Sequence, residues 1–102
     1  DKRILMLTSK RRSELSGLAS QLPVMLQIGK NGPTGALADR LSTLLDQHEL
    51  VKAKFVDFKD DRVAIAHELA LTTKSDLVRV IGNIAIFFRQ NPDPEKQNPE
   101  YL

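Results

Sequence analysis

Apolar residues recur at helical spacing in three stretches of the chain and at alternating or consecutive positions in four others. Leu15, Leu18, Ala19 and Leu22 make one stripe on a first helix. It begins near Thr8 or Ser9, either of which can cap the free amides of a first turn, with Leu7 placed to staple the start. Pro23 ends this helix, because the residue before a proline is pushed out of helical backbone and proline has no amide hydrogen. Residues 24–28 then read as a short, mostly buried strand. After the loop Gly29-Lys30-Asn31-Gly32, Thr34 caps a second helix that carries Leu37, Leu41, Leu44, Leu45 and His48 on one side.

From Leu50 the period changes to two, with Val51, Ala53 and Phe55 alternating with Lys52 and Lys54 as on a half-buried strand. Asp60 or Asp61 can cap a third helix whose inner side holds Val63, Ala66, Leu69 and Ala70. Residues 77–81 and 84–89 form a hairpin around Gly82-Asn83, which supplies positive-φ residues for a tight turn. The last strand is apolar on both sides, Ile84, Ile86 and Phe88 against Ala85 and Phe87, so it belongs in the middle of a sheet covered on both faces. The order α-β-α-β-α-β-β predicts an α/β fold of the two-layer α+β type around a four-stranded mixed sheet, in one domain over residues 1–89. Residues 90–102 are polar and proline-rich, and are expected to be an extended or disordered tail.

Composition narrows the chemistry. A chain of 102 residues supports one modest core. It has no cysteine, which excludes disulfides, thiolate metal sites and thiol nucleophiles. No apolar run reaches the roughly 20 residues that cross a bilayer, so no membrane partner is expected. The cytoplasm is the expected compartment, or an organelle if a targeting segment precedes Asp1. Net charge is only +2, but residues 1–54 hold nine basic side chains against five acidic, and residues 55–102 six against eight. The basic half contains the glycine loop, the polarity expected of a face that meets phosphate.

Main chain can approach a nucleic-acid backbone closely only where Cβ atoms are absent, and Gly29 and Gly32 remove them from both ends of the loop. The loop amides can then face phosphate oxygens, the start of the following helix adds partial positive charge, Lys30 adds a full one, and Asn31 offers a neutral donor and acceptor. Pro33 stiffens the approach to the helix. The spacing fits neither the dinucleotide fingerprint nor the nucleotide-triphosphate loop. It matches the two-glycine loop with which KH domains hold single-stranded nucleic acid. Lys10, Arg11 and Arg12 sit where the first helix's dipole disfavours cations, so an external anion or a solvated charged face accounts for them. Lys52 and Lys54 share a side of their strand and either extend a phosphate track or protect a sheet edge.

Leu7-Thr8-Ser9-Lys10, Leu18-Ala19, Leu22-Pro23-Val24, Ile28-Gly29-Lys30-Asn31-Gly32, Thr34, residues 48–54 (His-Glu-Leu-Val-Lys-Ala-Lys), Val80-Ile81-Gly82 and Phe87-Phe88-Arg89 together resemble the CRM domain. This is the RNA-binding module of bacterial YhbY proteins and plant organelle splicing factors. The resemblance spans residues 7–89. It implies a four-stranded mixed sheet with a topology like the C-terminal domain of a bacterial translation initiation factor. It also implies association with ribosomal RNA in precursor large ribosomal subunits, with RNA contacts at Gly29, Lys30, Asn31 and Gly32. In the plant proteins the same module implies group II intron binding. Phe88 stands where the family usually has tyrosine, and Asn83 where the hairpin turn is often basic.

Neither His48 nor His67 has a partner at metal-ligand spacing, and no nucleophile, base and oxyanion set is visible. The sequence therefore predicts a monomeric RNA-binding protein acting in ribosome assembly, with no catalytic residue, metal or cofactor. Its binding residues are Gly29, Lys30, Asn31, Gly32 and Thr34, with Lys10, Arg11, Arg12, Lys52 and Lys54 around them. Two alternatives stand beside it: a splicing module cut from a longer organellar protein, and a protein-interaction module in which the loop is only a turn.

Overall fold

The computed structural model describes residues 7–101. Three helices and four strands follow in the expected order: α1 Ser9–Ala19, β1 Leu26–Ile28, α2 Gly35–His48, β2 Leu50–Phe55, α3 Arg62–Thr73, β3 Asp76–Ile81 and β4 Ile84–Phe88. The sheet order is β1-β2-β4-β3, with β1 parallel to β2 and the other two pairs antiparallel. β4 is central, as its two apolar faces require.

The two sides of each strand feed separate cores. Ile28, Val51, Ala53, Phe55, Ala85 and Phe87 pack under α2 and α3. Leu50, Val78, Ile86 and Phe88 face the other way, onto Leu15 and Ala19 of α1. The class is the α+β fold with a four-stranded mixed sheet, but α1 covers the second face, so the layers number three where the sequence indicated two. A bulge between Leu77 and Arg79 turns Val78 toward α1.

Thr34 caps α2 as expected, its hydroxyl oxygen accepting from the Leu37 amide at 3.2 Å. Thr8 does the same for α1, accepting from Arg11 at 3.0 Å. Several boundaries differ from the sequence reading. α1 stops at Ala19, four residues before Pro23, because Gln21 and Leu22 donate to the third carbonyl back and tighten the chain into turns. β1 is shorter than residues 24–28, since Val24 is exposed and pairing starts where the Met25 amide meets the Lys52 carbonyl at 2.9 Å. At α3 the chain enters through a 3-10 turn, Lys59–Asp61, and neither Asp60 nor Asp61 places a side-chain oxygen on a helix amide. Val63 is 51% exposed and Ile65 takes its expected place in the core. At 3.6 residues per turn Val63 lies roughly 90° from the middle of the buried stripe. Only Gly82 of the hairpin has positive φ, at 56°. His48, grouped with the leucine face, is exposed at the end of α2.

The largest correction concerns residues 90–101, expected to be extended or disordered. They fold back on the sheet end through two 3-10 turns, Pro94–Lys96 and Pro99–Tyr101. Tyr101 is 8% exposed and stands edge-on to Phe88, with ring centroids 6.1 Å apart. Glu49, only 3% exposed, accepts the Asn91 amide at 2.6 Å and the Asn98 amide at 2.7 Å. A count of apolar residues misses such a segment, because one aromatic ring and one buried carboxylate anchor it.

Candidate nucleic-acid interface

β1 and β2 run parallel and end side by side at Ile28 and Phe55, and β4 starts at the same end. Three connections therefore meet there: the glycine loop, residues 56–58 after β2, and the β3-β4 turn, whose Asn83 carbonyl accepts the Phe55 amide at 2.8 Å. Inside the loop the Gly32 amide donates to Gly29 O and the Thr34 amide to Gly32 O, both at 2.9 Å. These two amides are engaged in shaping the turn, so only part of the loop backbone faces outward.

Gly32 has φ +69°, and a Cβ there would lie 3.2 Å from the Phe58 ring. The glycine is thus required by backbone and by space together. Gly29 has no such contact, a Cβ there meeting only Val56 at 3.9 Å, so packing does not require a glycine at this position. Lys30 and Asn31 are exposed at the tip. α2 carries no acidic residue in its first turn, so its positive end is not neutralised by its own side chains.

The loop and the first turns of α2 enclose a concavity of about 290 Å³ that also includes Gln27 and Arg40. The sequence reading missed both. Alternation with buried Leu26 and Ile28 turns Gln27 away from the α2-α3 core, and Arg40 stands three residues beyond Leu37 and four beyond Ala36, on the same helix side. That spacing from Ala36 and Leu37 in the first turn of α2 was the available signal.

The remaining sequence candidates divide. Lys54 is exposed and sits in register with Gln27, so it borders the loop end. Lys52 points to the same side but is half-buried, its ammonium donating to the Leu22 carbonyl at 3.0 Å. Neither protects an edge, because β2 lies inside the sheet.

Arg11 and Arg12 lie at the opposite end. Arg11 places its guanidinium 5.7 Å from the Phe88 ring centre and 3.6 Å from Glu14. Arg12 donates to the Leu77 carbonyl and, at 3.2 Å, to that of Val78. Their charges hold α1 to the sheet, which offsets the dipole penalty without an external anion. Beside Arg12, burial pushes the Asp76 carboxyl up from its ordinary range, and the guanidinium partly opposes that shift. Lys10 is exposed one residue before Arg11, and the loop concavity does not include it.

A family model for the CRS1/YhbY (CRM) domain matches residues 7–89. The chain belongs to the CRM domain family. Relatives of this CRM chain include a Pseudomonas aeruginosa protein named as a probable RNA-binding protein, 35% identical over 91 residues, covering 88% of each chain. A Haemophilus influenzae protein named as an RNA-binding protein is 29% identical over 94 residues, covering 91% of this chain and 95% of its own. Among solved structures, a hypothetical protein of Staphylococcus aureus shares the CRM fold with a TM-score of 0.76 at 30% identity, over 91% of this chain and 98% of that one.

Proposed function

We propose that this CRM protein binds RNA without catalysing a reaction, and that it holds the phosphate backbone at the glycine-loop end of the sheet. The observation that carries the reading is the convergence of Lys30, Asn31 and Arg40 with a helix start free of acidic side chains around one concavity. Backbone contacts of this kind give affinity with little sequence preference. The names of the relatives support RNA as the partner, and the family resemblance implies that this RNA is ribosomal RNA of precursor large subunits. The protein acts as a monomer.

The test is binding of structured ribosomal RNA fragments by wild type and by Lys30→Ala/Arg40→Ala across a salt series. Loss of two phosphate contacts is expected to flatten the dependence of log affinity on log salt by about 1.4 for single-stranded contacts. The urea midpoint stays unchanged, because both side chains are exposed. Equal affinity and equal slope in the two proteins overturn the loop assignment. Co-sedimentation of the tagged protein with precursor large subunits, lost in the same variant, tests the identity of the RNA.

A further inference from the structure

On the α1 side of the sheet, the part of the surface nearest the loop is left open. Between it and α1 runs a groove of about 500 Å³, floored by Ile81, Ile84 and Ile86, with Lys52 and Arg79 on it and Gly17 on the helix wall. Its size falls in the range of about 300–1,000 Å³ that ligand sites occupy. Among the described residues that line it there is no carboxylate. Ile81 is 50% exposed, a large apolar side chain left facing solvent.

Gly17 sharpens the picture. It is one of the least favourable residues for a helix interior, and it lies two residues inside the end of α1. A Cβ at this position would meet nothing within 4 Å. Packing therefore gives no reason for a glycine here. A long side chain here would project into the groove that Gly17 lines.

One row of in-register residues links the groove to the loop site. Gln27, which lines the loop concavity, is in register with Lys54, and Lys54 with Ile84 on the groove floor. Strand spacing puts roughly 10 Å between β1 and β4. Cations thus border the whole path, from Lys30 over Lys54 to Lys52 and Arg79.

We propose that this groove holds unpaired nucleotides of the same RNA strand that the glycine loop clamps. The inference rests on the RNA-binding reading above and extends it. Phosphates lie along Lys54 and Lys52. Bases pack their faces on the isoleucine floor, and the Arg79 guanidinium supplies a stacking plane. Duplex RNA offers no exposed base faces to such a floor, so the groove selects single strands.

The experiment compares labelled single-stranded RNA of about four nucleotides, the length a two-glycine loop holds, with a strand of about ten. Wild type is expected to bind the longer strand at least tenfold more tightly. Gly17→Glu, which fills the groove with bulk and negative charge while improving helix propensity, and Arg79→Glu, at an exposed position, are expected to remove that advantage. Both retain wild-type binding of the short strand. Gly17→Ala keeps binding to both. Chemical shifts of the Gly17 and Arg79 amides move with the long strand only, which separates occupancy of the groove from a general charge effect. If the groove variants bind the long strand like wild type, or those amides do not move, the groove proposal is overturned while the loop reading stands. Failure of wild type to bind either strand, or unchanged short-strand binding by Lys30→Ala/Arg40→Ala, overturns the loop reading itself.

Discussion

The two ends of the sheet carry similar side chains in opposite states. At the Phe88 end, Arg11 lies against an aromatic ring, Arg12 donates to two carbonyls, and Glu49 accepts two tail amides. Nearby, Arg89 ties α2 to α3 through Asp46, Ser42 and the Thr73 carbonyl. At the Ile28 end, Lys30, Asn31, Arg40 and Lys54 are exposed around a concavity and its rim. A charged group already surrounded by partners stabilises the fold. One left at the surface beside a helix start is available to a ligand.

The contrast breaks most visibly if Glu49 does not behave as a structural residue. Glu49→Ala removes two charge-assisted hydrogen bonds and is expected to cost about 2–3 kcal/mol, read from urea denaturation. RNA affinity of the folded fraction stays at the wild-type value. A stable variant that lost RNA binding would move the functional surface to the Phe88 end.

Gly32 sharpens the comparison because the fold requires it and it lies in the proposed RNA-binding loop. Gly32→Ala is expected to cost about 1–2 kcal/mol for the left-handed backbone, with a further contribution from the Phe58 ring at 3.2 Å. It should also weaken RNA binding by displacing Lys30 and Asn31. Gly29→Ala, with φ outside the positive region and open space around it, should leave stability nearly intact. Thermal melts beside salt-dependent binding separate the two glycines.

The smallest effect concerns pH. Burial raises the folded-state pKa of Asp76, so the folded protein favours the protonated carboxyl. The contribution to stability is fully present below the ordinary carboxylate range and declines as pH rises through the raised value. Asp76→Asn should therefore be slightly more stable than wild type near neutrality and equal to it in acid. Melting temperatures across that window check the sign, and RNA binding should not follow them.

Local pattern was enough for most of the fold. Three helical stripes, the alternation from Val51 to Phe55 and the two-faced strand 84–88 lie within single elements, where period and burial are directly linked. What escaped depended on contacts between distant segments. Lys52 and Lys54 could not be told from edge residues until β1 was seen to pair outside β2. Arg11 and Arg12 have their partners at Phe88 and at Leu77 and Val78, more than 60 residues away. The loop was legible because its chemistry is contiguous, Gly29 to Thr34. Arg40 joins it only through helix geometry, and the groove only through the sheet register.

The buried carboxylate of Glu49 has a consequence for how the chain opens. Its two oxygens hold backbone positions seven residues apart, one at Asn91 and one at Asn98. Neither can be given up alone without leaving one oxygen unsatisfied in a dry site. The returning segment is therefore released as a unit, and one opening event sets the rate at which both amides exchange with solvent and at which the intervening turn becomes available to a protease.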